Sequence, residues 1–143
     1  MDEIYTTSIL DLCADIPHTG RLENPDGTAT KQAKLCGSSI TVDIKMDNDH
    51  VSAFAQDVEA CDALGKATAS LFARHVIGKT YDELKMLRDQ MHAMLKENGP
   101  PPSGEWKDFA LFESVRAYPA RQDSTLLVFD ATLAAIENAA GKT

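Results

Sequence analysis

The chain has 143 residues and 43% hydrophobic residues, which predicts one domain with a sizeable core. A net charge of -8 without a basic run argues against nonspecific nucleic-acid binding and suits a partner with a basic surface. No stretch is apolar enough to span a membrane, and Met1-Asp2-Glu3 lacks the basic start of a signal peptide, so a cytoplasmic protein is expected.

The first 35 residues predict a helix, a loop and a strand. Apolar residues at helical spacing and a following proline indicate a helix over residues 3–16, in which Cys13 is expected to be a small buried residue. A loop with Asn-Pro and Asp-Gly turns follows. Residues 28–35 then form the predicted first strand.

The next segment predicts a β-hairpin. An alternating run over residues 40–46 and a second extended run to Val58 flank an Asp/Asn-rich turn at residues 47–50. Its register is uncertain by one residue. Strict alternation puts Phe54 and Val58 on one face of the second strand and the apolar residues Val51 and Ala55 on the other, and either pair could face the core.

The rest of the chain predicts helices. Asp62 is the expected N-cap of a helix that ends at Gly78, and Thr80 with Glu83 forms a capping box for the next helix. Residues 98–104 form a linker, Trp106 begins a short amphipathic helix, and a last helix spans about residues 121–139. Strands grouped before helices predict an α+β fold, with a three-stranded antiparallel sheet covered on one face.

Two cysteines are the candidate chemical site. Cys36 lies twelve residues before Asn48 and Cys61 twelve residues after Asp49, so hairpin pairing predicts both thiols at the same end of the sheet. Cys61 precedes a helix, whose N-terminus favours the thiolate. Two thiolates can provide half of a tetrahedral zinc site or part of an iron–sulfur cluster, while two incidental thiols remain the alternative.

Three segments carry a family resemblance. Leu35-Cys36-Gly37-Ser38, the Ala- and Ser-rich helix after Cys61, and Pro119-Ala120-Arg121 together resemble the IscU/SufU/NifU N-terminal scaffold family, with residues 78–119 most similar to its SufU branch. The resemblance implies a single domain over residues 1–143. It also implies a scaffold rather than an enzyme, which assembles iron–sulfur clusters with a cysteine desulfurase and passes them to recipient apo-proteins or other assembly proteins.

The resemblance also implies a ligand set, from which this chain departs. Cys36 and Cys61 match two family cysteines, whereas Ser38 stands in place of the family's aspartate and Ser124 in place of its third cysteine. A neutral serine is a poor ligand for zinc or iron. Asp123 is the candidate carboxylate substitute, and Arg121 matches the family's arginine near the metal site.

Three functions follow from these positions. The first is a scaffold or accessory protein that holds iron or a cluster, with zinc as the other metal considered. The second is a metal-free interaction module that kept the fold, and the third is a zinc-dependent sulfur acceptor, disfavoured by Ser124. The four histidines are expected to be solvated or helix-capping rather than ligands: His18, His50, His75 and His92.

Overall fold

The computed structural model describes residues 6–34, 37–59 and 63–141. Four α-helices, three strands and one 3₁₀ segment occupy these ranges. In chain order they are α1 (Thr7–Ala14), β1 (Gly27–Gln32), β2 (Ser39–Asp47), β3 (His50–Glu59), α2 (Ala63–Ala73), α3 (Tyr81–Lys96), the 3₁₀ segment (Gly104–Ala117) and α4 (Pro119–Ala140). None of the described helices is long and apolar enough to cross a membrane.

The three strands form one antiparallel sheet in the order β1-β2-β3. The turn between β2 and β3 consists of Asn48 and Asp49, and Asn48 has a φ of 57°. Asparagine tolerates this left-handed conformation better than most residues, because its short side chain can hydrogen-bond locally. The predicted hairpin and its turn are therefore confirmed.

A β-bulge settles the register of the hairpin. Met46 pairs with Val51, but Lys45 pairs with Ala53, so Ser52 is an extra residue without a partner in β2. An extra residue reverses the side-chain alternation beyond it. Val51 and Phe54 can therefore both be buried in the core, which removes the conflict that the sequence pattern presented.

The helices cover one face of the sheet, and α4 lies across β1 and β2. Their contact is close at Gly27, where a built Cβ would lie 2.0 Å from the carbonyl oxygen of Ala135. A single hydrophobic core includes buried residues of α1, β2, α2, α3 and α4. The α+β fold with a three-stranded antiparallel sheet covered on one face is confirmed.

Two helical predictions need correction. Helix α2 ends at Ala73 rather than near Gly78, which has a φ of 89° and donates its N–H to the carbonyl of Val51 at 2.7 Å. The predicted short amphipathic helix is a run of 3₁₀ turns. Its apolar residues recur every third position, which matches the three residues per turn of a 3₁₀ helix: Trp106, Phe109, Phe112 and Val115.

The capping box of α3 is present as predicted. The N–H of Glu83 donates to Oγ1 of Thr80 at 3.2 Å, and the N–H of Thr80 donates to Oε1 of Glu83 at 3.0 Å. These bonds satisfy two of the backbone donors that a helix start leaves without partners. The last helix begins at Pro119, two residues before the predicted start, because proline suits the first helical position.

Candidate functional site

The connection between β1 and β2 is one side of the candidate site. Gln32 pairs with Ser39, the N–H of Ala33 donates to the carbonyl of Ser38 at 2.8 Å, and the N–H of Gly37 donates to the carbonyl of Ala33 at 3.1 Å. Gly37 has a φ of 77°, which glycine adopts without a steric penalty. The sheet pairing therefore continues one position beyond the strands.

The end of β3 lies beside the start of β2, because Glu59 pairs with Ser39. Cys36 and Cys61, the predicted ligands, lie outside the described residues. Their predicted proximity therefore remains a prediction. The described residues that flank them are neighbours: Cys36 precedes Ser39 by three residues, and Cys61 follows Glu59 by two.

The two serines at family-ligand positions are both buried. Ser38 is 1% exposed and Ser124 is 2% exposed. Oγ of Ser124 donates to the carbonyl of Arg121 at 3.2 Å, a bond within the first turns of α4. Burial of neutral hydroxyls costs little when they are hydrogen-bonded, whereas a buried carboxylate or thiolate requires a compensating charge.

A buried glutamine fixes the start of α4. Nε2 of Gln122 donates to the carbonyls of Leu95 at 3.1 Å and Arg116 at 3.3 Å, which lie near the ends of α3 and of the 3₁₀ segment. These bonds satisfy carbonyls at element ends and attach three elements to one side chain. Gln122 thereby positions Arg121, Asp123 and Ser124.

Asp123 and Arg121 have other contacts. Oδ1 of Asp123 lies 3.6 Å from Nζ of Lys96, and the half-buried Arg121 accepts at its carbonyl from Thr125 as well as Ser124. Asp123 lines a hollow of about 270 Å³ together with Ala33 and Lys34. The start of α4 and the β1–β2 connection are therefore adjacent, although the ligand roles predicted for these residues remain untested.

The histidines occupy other surroundings. Nδ1 of His50 lies 2.6 Å from the Asp49 carboxylate at the far end of the hairpin, and the ring of His75 packs edge-on against Trp106. His18 packs edge-on against Phe54, while Nδ1 of His92 lies 3.4 Å from Glu97. Within residues 6–34, 37–59 and 63–141, no three His, Cys, Asp or Glu side chains could together hold a metal ion.

Cys13 is half-buried, and its thiol donates to the carbonyl of Ala63 at 2.9 Å. Ala63 is the first residue of α2, so this bond joins α1 to the start of the helix that follows Cys61. Cys13 was expected to be a small buried residue. It does pack against the core, but it is only half-buried.

The structure also reveals a buried charge that the sequence did not indicate. Asp43 of β2 is fully buried and accepts from Nε of Arg21 at 2.6 Å, from Oγ1 of Thr28 at 2.7 Å and from the N–H of Leu22 at 3.0 Å. Burial alone would raise the pKa of Asp43, but these hydrogen bonds, led by that from Arg21, hold it below its usual value. No sequence spacing links Arg21 to Asp43, so only the fold reveals the pair.

The fold places the chain in a class of small α+β domains with an antiparallel sheet that helices cover on one face. The sequence model of the family described as NifU-like N terminal domain matches residues 4–125. The chain belongs to this family, which confirms the resemblance found in the sequence.

Two curated relatives are named iron–sulfur cluster assembly scaffold protein IscU. The one from Streptococcus pyogenes is 24% identical over 140 residues, covering 98% of this chain and 87% of the relative. The one from Thermotoga maritima is 27% identical over 129 residues, covering 88% and 87%. The family to which the chain belongs is therefore one of cluster assembly scaffolds.

Solved structures agree with this assignment. The crystal structure of a nitrogen-fixing NifU-like protein (N-terminal) from Brucella abortus has a TM-score of 0.95 and 48% identity, covering 99% of this chain and 98% of that one. A structure from Fervidobacterium islandicum, described as a cluster assembly scaffold of the SUF system, has a TM-score of 0.84 and 22% identity, covering 93% and 96%. The second similarity supports the fold alone.

Proposed function

We propose that this protein is a scaffold or accessory protein of iron–sulfur cluster assembly that binds iron, a cluster or sulfur through Cys36 and Cys61. The observation that carries the proposal is the pairing of Ser39 with Glu59. Chain segments of three and two residues span at most about 10 and 7 Å. This pairing therefore supports a common location for the two thiols at one edge of the sheet.

The donor set supports transient rather than permanent binding. Two thiolates provide half of the ligands that a tetrahedral metal site requires, and the hydroxyls of Ser38 and Ser124 are weak donors to iron or zinc. The remaining ligands would come from a second chain or from a thiol such as glutathione. Such a site releases its cargo readily, which suits a protein that transfers clusters.

Partners and location follow from the same proposal. A cysteine desulfurase supplies sulfur, and recipient apo-proteins or other assembly proteins accept the product, in the cytoplasm. The protein itself acts as a scaffold rather than as an enzyme. One hydrophobic core shared by helices from both ends of the chain supports a single domain over residues 1–143.

Anaerobic reconstitution with ferrous iron and sulfide tests the proposal. The wild-type protein should develop the visible absorbance of a cluster, and Cys36→Ala or Cys61→Ala should abolish it. Cys13→Ser is the matched control, because its hydroxyl can keep the hydrogen bond to Ala63. A wild-type protein that develops no absorbance, with or without a desulfurase, would contradict cluster binding.

A metal-free interaction module is the second candidate, favoured by one observation. The hydroxyl of Ser124 is buried and donates its proton to the carbonyl of Arg121 within the first turns of α4. Under this alternative, Ser124→Cys would leave iron binding unchanged. Under the scaffold proposal the same change restores a family ligand and should increase the iron retained after gel filtration.

The third candidate is a sulfur acceptor, in which Cys36 or Cys61 would carry a persulfide. Incubation with a cysteine desulfurase and cysteine, followed by mass spectrometry, distinguishes it from the other two. A mass increase of one sulfur atom on one of these cysteines would support it, whereas unmodified cysteines would exclude it.

A further inference from the structure

A groove lies between the outer edge of β1 and helix α3, with α4 as its floor. It consists of two adjoining hollows of about 390 and 270 Å³ that share Gln32, Arg88, Leu127 and Asp130. Exposed lysines line both walls, Lys31 and Lys34 on the β1 side and Lys85 on the α3 side. We call it the lysine groove.

Among the described residues, the carboxylates of the lysine groove have partners, whereas its three exposed lysines form no ion pair. Asp130 and Asp89 contact Arg88, Glu137 accepts from the Tyr81 hydroxyl, and Asp123 faces Lys96. No described carboxylate forms an ion pair with the three lysines: Lys31, Lys34 and Lys85. Arg88 alone faces both Asp89 and Asp130, and the partner of Glu137 is a neutral hydroxyl, so part of the lysine charge is balanced within the groove. The lining still has more basic side chains than carboxylates, on a chain whose net charge is -8.

The β1 edge can also pair with another strand. β1 is an edge strand of the sheet, and its bonds to β2 include the one from the N–H of Ala33. Because backbone direction alternates along an antiparallel strand, Thr28, Thr30 and Gln32 direct their backbone groups away from β2. The carbonyl of Thr28 accepts from Nδ2 of Asn138, which agrees with this orientation.

We propose that the lysine groove binds an extended acidic peptide segment of a partner protein, which pairs as an added strand beside Thr30 and Gln32. Main-chain hydrogen bonds to the strand edge supply affinity in this mode, and alternate side chains supply specificity. Acidic residues at alternate positions of the segment lie on the same face as Lys31 and reach Lys85 across the groove. A second copy of this chain is a poorer occupant, since antiparallel β1–β1 pairing brings the lysines of both copies together.

Fluorescence anisotropy with a labelled peptide tests the proposal on the full-length chain. The probe alternates glutamate with valine over the length of β1, and two comparison peptides replace glutamate with lysine or N-methylate alternate backbone amides. The acidic peptide should bind saturably and more weakly as salt rises. The lysine peptide should not bind. The affinity of the N-methylated acidic peptide should be lower by about tenfold or more, because this peptide cannot form the strand pairing.

Charge reversal locates the site. Lys31→Glu combined with Lys85→Glu should weaken binding by about tenfold or more. Lys66→Glu combined with Lys107→Glu, two exposed lysines outside the groove, makes the same net charge change and should leave affinity within about twofold. Thermal unfolding verifies that both variants are folded.

Three outcomes would overturn the proposal. Equal weakening by the two double variants would mean a nonspecific charge effect. Equal affinity of the N-methylated peptide would exclude strand pairing, and displacement by tripolyphosphate as strong as that by unlabelled acidic peptide would indicate a small-anion site. None of these measurements involves iron, so the result is independent of the proposed role in cluster assembly.

Discussion

Two arginine–aspartate pairs of this protein are chemically alike but lie in different surroundings. Arg21 and Asp43 meet on the sheet face opposite α4, with Nε to Oδ2 at 2.6 Å, and Arg88 and Asp130 meet between α3 and α4, with Nε to Oδ1 at 2.9 Å. The Asp43 side chain is 0% exposed, whereas that of Asp130 is 40% exposed. Only the buried carboxylate has a complete set of donors.

The difference shows what a buried charge requires in this fold. Burial of Asp43 favours its neutral form, and the bonds from Arg21, Thr28 and Leu22 outweigh that effect and lower its pKa. Burial lowers the pKa of Arg88, but the hydrogen bond to Asp130 raises it. The result is a pKa above the usual value. At position 38, where burial is equally deep, the chain has a neutral serine instead of a carboxylate.

Replacing the buried carboxylate should produce the largest effect. Asp43→Asn keeps the size of the side chain but loses the charge that faces Arg21, and we expect the free energy of unfolding to fall by about 3 kcal/mol at neutral pH. The folded pKa of Asp43 is lowered, so its contribution is present above the unfolded value, near 4, and is lost as the pH falls through the folded pKa.

Chemical denaturation at several pH values measures this difference. The gap between wild type and Asp43→Asn should narrow as the pH is lowered into the acid range. A gap that stayed constant with pH would mean that the carboxylate contributes through its shape rather than its charge.

Introducing a charge at position 38 should produce the next largest effect. Ser38→Asp puts the family's carboxylate into a site that is 1% exposed, and we expect a loss of about 2 kcal/mol in unfolding free energy without metal. Anaerobic ferrous iron should recover part of this loss if the position faces a metal site.

Ser39→Asp is the control for this change, because it adds the same charge at the neighbouring, less buried position and should cost less. Equal losses in the two variants, measured by thermal unfolding, would show that burial at position 38 does not decide the effect. The comparison with Asp43 would then not extend to the candidate site.

A neutral buried donor should have an intermediate effect. Gln122→Ala removes the bonds to the carbonyls of Leu95 and Arg116 and leaves them without this partner. We expect a loss of about 1 to 2 kcal/mol in unfolding free energy, measured by urea denaturation. A loss as large as that of Asp43→Asn would contradict the view that charge makes the Asp43 cluster distinctive.

The half-exposed pair should matter least. Asp130→Asn should lower the unfolding free energy by no more than about 0.5 kcal/mol, because water replaces much of the lost interaction. The same denaturation measurement checks it, with added salt reducing the effect further. A cost comparable to that of Asp43→Asn would remove the contrast between the two pairs.

Local signals in the sequence predicted much of the fold. The Asn48–Asp49 turn and the Thr80–Glu83 capping box each depend on residues close in sequence, and each appears in the structure. The last helix was predicted from about residue 121, whereas it begins at Pro119. The Ser52 bulge was not predicted, because period-two alternation cannot reveal an extra residue. The short amphipathic helix was predicted without its type, since apolar spacings of three fit both α and 3₁₀ geometry.

The candidate site was less predictable. Ser38 and Ser124 were identified through the family resemblance, but their burial depends on how α4 lies across the sheet. The Arg21–Asp43 pair and the lysine groove join residues that are distant in sequence, and no periodicity connects such residues. Exposed lysines look alike in a sequence, so the groove walls emerge only from the fold.

The close contact at Gly27 has a consequence for the far end of α4. A methyl group there would lie 2.0 Å from the Ala135 carbonyl oxygen and 2.8 Å from the Ala139 nitrogen, and would act as a wedge under the C-terminal half of the helix. A rigid rod lifted at one end tilts about its other supports. Because Gly27 has no side chain, α4 can lie close to this end of the sheet. Gly27 thus helps to set the distance between Ser124 and the opposite end of the sheet.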